Sequence, residues 1–264
     1  MALVLFHQGW TDIINSLGLI SHYAGIHDKV YVLIRSDCAD LLNFYTKQHK
    51  NVQMIYVPKG YIDYLVTCRR IENIDDTIMS GNHTLEFITT VGEMYWQRLT
   101  AKCSHFHLIG LFDRLRPQGD MYRDAYANNT QFFVHSFYTL YGLDAKVRID
   151  KFSLVRDLVL EERKKNSIVK TPGPYVLCHD TKENPILEKK EGWINLHEVS
   201  DTFFDCIKLL EDAESIHLID SVWASICYLL DARYKLFENK SITVYCKRGY
   251  TQMFTEPYLS LIHI

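Results

Sequence analysis

Near the start of the chain, His7-Gln8-Gly9-Trp10-Thr11-Asp12 separates a short apolar run from an apolar-periodic one. A carboxylate at such a joint can act as a general base, taking the proton of a hydroxyl as its oxygen attacks. Gly9 lets the backbone approach a ligand closely, and His7 and Trp10 place a polar ring and an aromatic face beside it. Thr11 or Asp12 can equally be a plain helix cap that accepts backbone N–H groups.

Three further groups carry comparable chemistry. An apolar run ends at His179-Asp180, with Thr181 and Lys182 behind it. There the lysine can neutralise a phosphate and His179 or Asp180 can contact a sugar or nucleotide; ordinary solvated loop charges would read the same. At Asp220-Ser221 a strand pattern runs into an apolar helix pattern. Orphan N–H groups and the hydroxyl make a small anion cradle, while Asp220 suits capping or a ribose hydroxyl. Lys247 and Arg248, and Arg114 and Arg116 in "FDRLRP", are candidate phosphate clamps, arginine being the better bidentate donor. Surface charge is the commoner explanation of such residues.

Other chemistries lack their residues. There is no GxGxxG, P-loop, GxSxG or HExxH pattern and no Asp-x-Asp. The 12 histidines are dispersed and the seven cysteines stand singly without a CxxC, so no metal site and no cofactor are expected. Scattered cysteines read as reduced, buried thiols, and the expected compartment is the cytoplasm. No apolar run reaches the ~20 residues of a membrane span. A net charge of −3 gives no reason to expect a nucleic-acid partner.

The elements that must position these groups are α/β in both halves. "ALVLFH", Lys29–Arg35 and Val52–Pro58 read as buried strands, and Asp12–Tyr23 and Ala39–His49 as the helices between them. Ser36 or Asp37 can cap the second helix, and Gly25 is expected to close the first. Residues 61–71 and 85–102 look helical, 105–112 strand-like, and 129–141 helical with a stop at Gly142. After a charge-rich segment, Thr171-Pro-Gly-Pro174 is the best linker signal. A fresh series follows, with strands at Tyr175–His179, "GWINLH", Ser215–Asp220 and Ser241–Cys246, and helices at 201–211 and 221–230. Trp223, Ile226 and Leu230 have the spacing of a core-facing stripe. Alternating strands and helices with short loops imply parallel sheets. The expected fold is two open Rossmann-like α/β domains facing a cleft, with the boundary at residues 165/166.

"HQGWTDIINSLGLISHY", "FVHSFYTLYGLDAKVRIDKFSLVRD", "PYVLCHDTKENPI" and "IHLIDSVWASICYLLDA", in that order over about half of the chain, resemble GT-B glycosyltransferases. The resemblance is strongest to heptosyltransferase-like enzymes that build bacterial or large-virus surface glycans. It implies a metal-independent transfer of a sugar from a nucleotide-sugar donor to a glycan hydroxyl. Residues 1–165 become the acceptor side and 166–264 the donor domain. Asp12 takes the role of base, with His7, Gly9, Trp10 and Arg114 at the acceptor cleft. His179, Asp180 and Lys182 fall on the donor loop, Asp220, Ser221 and Ser225 on the helix that receives the diphosphate, and Arg248 beside them. A single carboxylate base points to inversion. His7-Gln8 replaces the more usual glycine-rich lead-in, and Lys182 lacks a following Trp-Pro pair. The donor therefore stays open among UDP-, GDP-, dTDP- and ADP-linked sugars, including deoxysugars such as rhamnose or fucose. Two alternatives share the architecture: a nucleotide-sugar epimerase, and a non-catalytic nucleotide- or glycan-binding module.

Overall fold

The computed structural model describes residues 1–6, 10–35, 38, 45, 47–57, 103–109, 133–139, 141–180, 187, 190–199, 203–238, 240–246 and 260–263. The chain divides into two compact units, Met1–Ser153 and Leu154–Ile264. The helix expected at Ala39–His49 lies mostly, and those at 61–71 and 85–102 wholly, outside the described residues, as do the proposed caps Ser36 and Asp37.

The first unit is built on β1 (Ala2–Phe6), β2 (Val30–Arg35), β3 (Val52–Val57) and β4 (His105–Ile109). All pair in parallel, in the order β3-β2-β1-β4. Ala2, Val4, Val30, Val32 and Ile34 are fully buried, as the near-continuous apolar runs require of a parallel sheet covered on its faces. The helices are α1 (Trp10–Asn15), α2 (Leu17–Ile26), α3 (Phe133–Thr139) and α4 (Val147–Asp150).

The single helix expected at Asp12–Tyr23 starts earlier and is broken at Ser16. The Ser16 N–H turns to the Ile13 carbonyl, 3.0 Å away, instead of continuing the α-helical ladder to Asp12. The Asp12 carbonyl is satisfied by the Ser16 hydroxyl at 2.8 Å. A serine that bonds back by four residues in this way bends a helix. Residues 13–20 are buried on every side, so α1 and α2 are core helices rather than surface ones. Gly25 lies inside α2, which closes one residue later on an extended His27. Gly142 does take the positive φ (73°) that ends the turn after α3.

The second unit comprises α5 (Leu158–Ile168), β5 (Val176–His179), β6 (Ile194–Asn195), α6 (Leu196–Val199), α7 (Ile207–Asp212), β7 (Ser215–Ile219), α8 (Val222–Tyr234), β8 (Ser241–Cys246) and β9 (Ser260–His263). Its five strands are also all parallel, in the order β6-β5-β7-β8-β9. The unit starts at Leu154 rather than 166, because α5 packs with this half. Arg156 bridges Glu161 (2.6 Å) and Glu211 on α7 (2.9 Å), and Lys165 reaches Asp212 at 2.9 Å. Asp157 caps α5 by accepting the Leu160 N–H. Within "GWINLH" only Ile194–Asn195 is strand, and the expected helix at 201–211 is a short 3₁₀ turn at Phe204–Cys206 followed by α7. Trp223 through Asp231 are buried along α8, and Lys235 closes it in the left-handed conformation.

Candidate active site

Strand order decides where a ligand can enter. In open parallel sheets, ligands sit beyond the carboxyl ends of two adjacent strands whose connections leave in opposite directions. In the first unit those strands are β1 and β4, and in the second β5 and β7. Three of the four sequence groups fall there: the Asp12 segment follows β1, His179 ends β5, and Asp220-Ser221 follows β7.

In the second unit the register pairs His179 with Leu218, leaving Asp220 and Ser221 just beyond the strand end. Ser221 Oγ then lies 3.0 Å from His179 Nδ1. Ser221 has the extended backbone of an N-cap, but its side chain makes no capping bond to α8. Its carbonyl accepts the Ser225 N–H at 3.2 Å, and Ser225 itself is buried a turn into the helix. The hydroxyl expected either to cap the helix or to line a cradle is thus turned to the imidazole. The first-turn N–H groups of a 13-residue helix are left to an acceptor other than that side chain.

His179 is partly buried among rings, 6.2 Å from His197 and 6.5 Å from Trp223 between centroids. Burial, helped by His197 and opposed by Asp180, pushes its pKa down to about 4. It is therefore neutral at pH 7 and acts as a hydrogen-bonding partner of Ser221, not as a cation for a phosphate. Asp180 is 1% exposed and accepts the Leu187 N–H at 2.7 Å, so its carboxylate is committed to a backbone group. The Asp220 N–H donates to the Tyr245 carbonyl. His197 was not singled out from sequence. "INLH" reads as strand, and only the turn from β6 into α6 carries the ring toward His179. Trp223 is a core residue, 2% exposed, edge-on to Phe203.

In the first unit Trp10 and Asp12 stand in the first turn of α1, both partly buried, with Asp12 inside the helix rather than at its cap. His7, Gly9, Arg114, Lys182 and Arg248 lie outside the described residues. Among the described residues no group of three or more His, Cys, Asp or Glu side chains is placed to hold a metal ion. None of their helices is long and apolar enough to cross a membrane.

Each unit is a parallel, doubly wound α/β fold, the two-unit architecture read from sequence. Over its whole length the chain is similar to solved glycosyltransferase structures. One is the glycosyl transferase family 9 from Veillonella parvula (TM-score 0.47, 9% identity, covering 100% of this chain and 86% of that one). Another is ADP-heptose lps heptosyltransferase II of E. coli (TM-score 0.48, 12% identity, 100% and 90%). A third is the E. coli heptosyltransferase WaaC with ADP-2-deoxy-2-fluoro heptose (TM-score 0.40, 11% identity, 99% and 93%). No family model matches the sequence, and no curated protein matches it significantly.

Proposed function

We propose that the protein is a glycosyltransferase that moves a hexosyl or deoxyhexosyl group from a nucleotide-sugar donor to a glycan hydroxyl, without a metal and with inversion. The observation that carries this reading is the Ser221–His179 pair at the β5/β7 carboxyl ends, beside the N-terminus of α8, which lacks a side-chain cap. A leaving nucleoside diphosphate gains negative charge in the transition state. Oriented N–H groups at a helix N-terminus stabilise that charge without reorganising. As the Nδ1–H tautomer, neutral His179 can donate to the Ser221 oxygen, which leaves the hydroxyl proton to be donated to a phosphate oxygen. Lys182 and Arg248 are the cations proposed to complete the diphosphate site, with Asp220 at the ribose. Asp12 is proposed as the base that takes the acceptor proton, and His7, Gly9, Trp10 and Arg114 as the acceptor side.

The test is a thermal-shift series on the purified protein with UDP, GDP, ADP and dTDP, each with and without EDTA. A ligand that binds only the folded state raises the melting temperature by mass action. The expected result is a clear rise with one diphosphate that survives EDTA. Release of that nucleotide from its sugar conjugate by the wild type, and its loss in Asp12→Asn with binding retained, would then identify the base. Absence of a shift with all four would overturn the donor-site assignment.

A further inference from the structure

The buried Arg148 of α4 sits against the turn that carries Asp12, and the geometry points to Asn15 and Arg148 as positioning residues for the Asp12 carboxylate. This inference rests on the reading of Asp12 as base. Both peptide groups that flank Asp12 are held by side chains from one turn further on. Asn15 Nδ2 donates to the Thr11 carbonyl at 2.8 Å, and the Ser16 hydroxyl donates to the Asp12 carbonyl at 2.8 Å. An asparagine amide can face either way, because its oxygen and nitrogen ends have the same shape. Here Arg148 Nη1 donates to Asn15 Oδ1 at 3.4 Å, which forces the NH₂ end toward Thr11. Arg148 is a donor only and 2% exposed, so the amide cannot turn over without setting two donors face to face in the interior.

The hub is fixed from other directions as well. Asn15 is 1% exposed, and its carbonyl accepts the Tyr138 hydroxyl at 2.7 Å. The α4 backbone seats directly on Gly18 of α2, so Arg148 enters the core at a set depth. His135 on α3 feels Arg148 as well as Asp144, and with burial the arginine keeps that imidazole uncharged at neutral pH. The arrangement gives a catalytic base a fixed backbone, and on this inference the field of the buried Arg148 cation favours its ionised form. A ~1 Å displacement of such a group is enough to cost ~100-fold in rate.

The decisive variant is the double change Asn15→Leu/Arg148→Met, which removes both partners and strands no buried charge. Arg148→Lys is the conservative companion, and near-ultraviolet circular dichroism reports the fold of each. With aspartate labelled at ¹³Cγ, the Asp12 resonance, assigned through its loss in Asp12→Asn, is titrated in every protein. In the double variant we expect the Asp12 midpoint to rise by about half a unit or more. We also expect kcat on the identified nucleotide sugar to fall about tenfold with KM within about twofold. Arg148→Lys should restore most of both. An unchanged Asp12 titration in the folded double variant overturns the inference. So does a shifted titration that the lysine does not restore. The NMR readout needs no turnover, so it fails separately from the transferase reading, which falls instead if Asp12→Asn releases nucleotide as fast as the wild type.

Discussion

His179 Nδ1 and Ser221 Oγ lie 3.0 Å apart although 42 positions separate them in the chain. The contact joins the ends of two adjacent parallel strands at the point where the second sheet reverses its direction of growth. Burial in this ring-lined site keeps the imidazole uncharged, with its pKa pushed down to about 4 from the ordinary 6.5.

That depression makes stability acid-sensitive in a defined window. Above about pH 6.5 the imidazole is neutral in both folded and unfolded chains and the ring contributes nothing. Between about pH 6.5 and 4 the unfolded chain takes up a proton that the folded chain refuses, so stability falls as pH falls. The loss from this one group levels off at about 3 kcal/mol. His22, His49, His135 and His217 are also pushed down, burial being the largest cause in each case, and add to the same limb. His179→Asn, whose amide can keep the Ser221 contact, should flatten part of the limb. Urea midpoints measured at pH 7 and pH 5 for both proteins check this, and parallel losses would remove His179 from the account.

Ser221→Ala separates the hydroxyl from the helix end. The alanine retains the backbone N–H groups of α8 but loses the oxygen that His179 orients. Diphosphate affinity should fall about tenfold, in line with the loss of one hydrogen bond to a charged group. Isothermal titration with the diphosphate found in the thermal-shift series gives the number. An unchanged affinity would mean that Ser221 serves only His179.

The strands were legible because buried parallel strands are written as apolar runs. Ser241–Cys246 has the bounds that its six residues suggest, and Val30–Arg35 differs by one position. Helix α5 was not legible, because its burial inverts the usual pattern. Leu158, Val159 and Leu160 are exposed while Glu161 is fully buried against Arg156. The break at Ser16 depends on where one hydroxyl bonds, and periodicity does not record that. The polar groups at the strand ends were visible as types. Their pairing was not, since the approach of His179 to Ser221 follows from the β5/β7 register, and the position of Asn15 under Arg148 from the seating of α4 on α2.

That seating rests on Gly18. A Cβ built there would meet the carbonyl oxygens of Val147 and Arg148 at 2.6 Å and the Arg148 Cα at 2.9 Å, all backbone atoms. Alanine is a better helix former than glycine by about 1 kcal/mol, so propensity alone would stabilise Gly18→Ala. The clash opposes it, because α4 must move and overpacking costs about 1–3 kcal/mol or more. The net expectation is a variant destabilised by about 1–2 kcal/mol, with Arg148 displaced. Chemical denaturation reads the first effect and the Asp12 titration the second. A Gly18→Ala protein more stable than the wild type would show that α4 is loosely seated.

Arg156 and Glu161 anchor the N-terminal end of α5 in the second unit. Glu161 has a side chain at 0% exposure and Arg156 one at 20%, joined at 2.6 Å, with Glu211 of α7 on the same guanidinium at 2.9 Å. The two carboxylates hold the arginine firmly in its charged form. Removing the cation leaves Glu161 buried with its compensating charge gone, so Arg156→Met should cost about 3 kcal/mol. Replacing both partners removes the stranded charge along with the bridge. Arg156→Met/Glu161→Leu should therefore recover most of that loss, and Glu211 keeps Lys208 at 3.6 Å. A double-mutant cycle in urea measures the difference. If the double variant is as unstable as the single one, the bridge itself, rather than relief of a buried charge, holds α5 to α7.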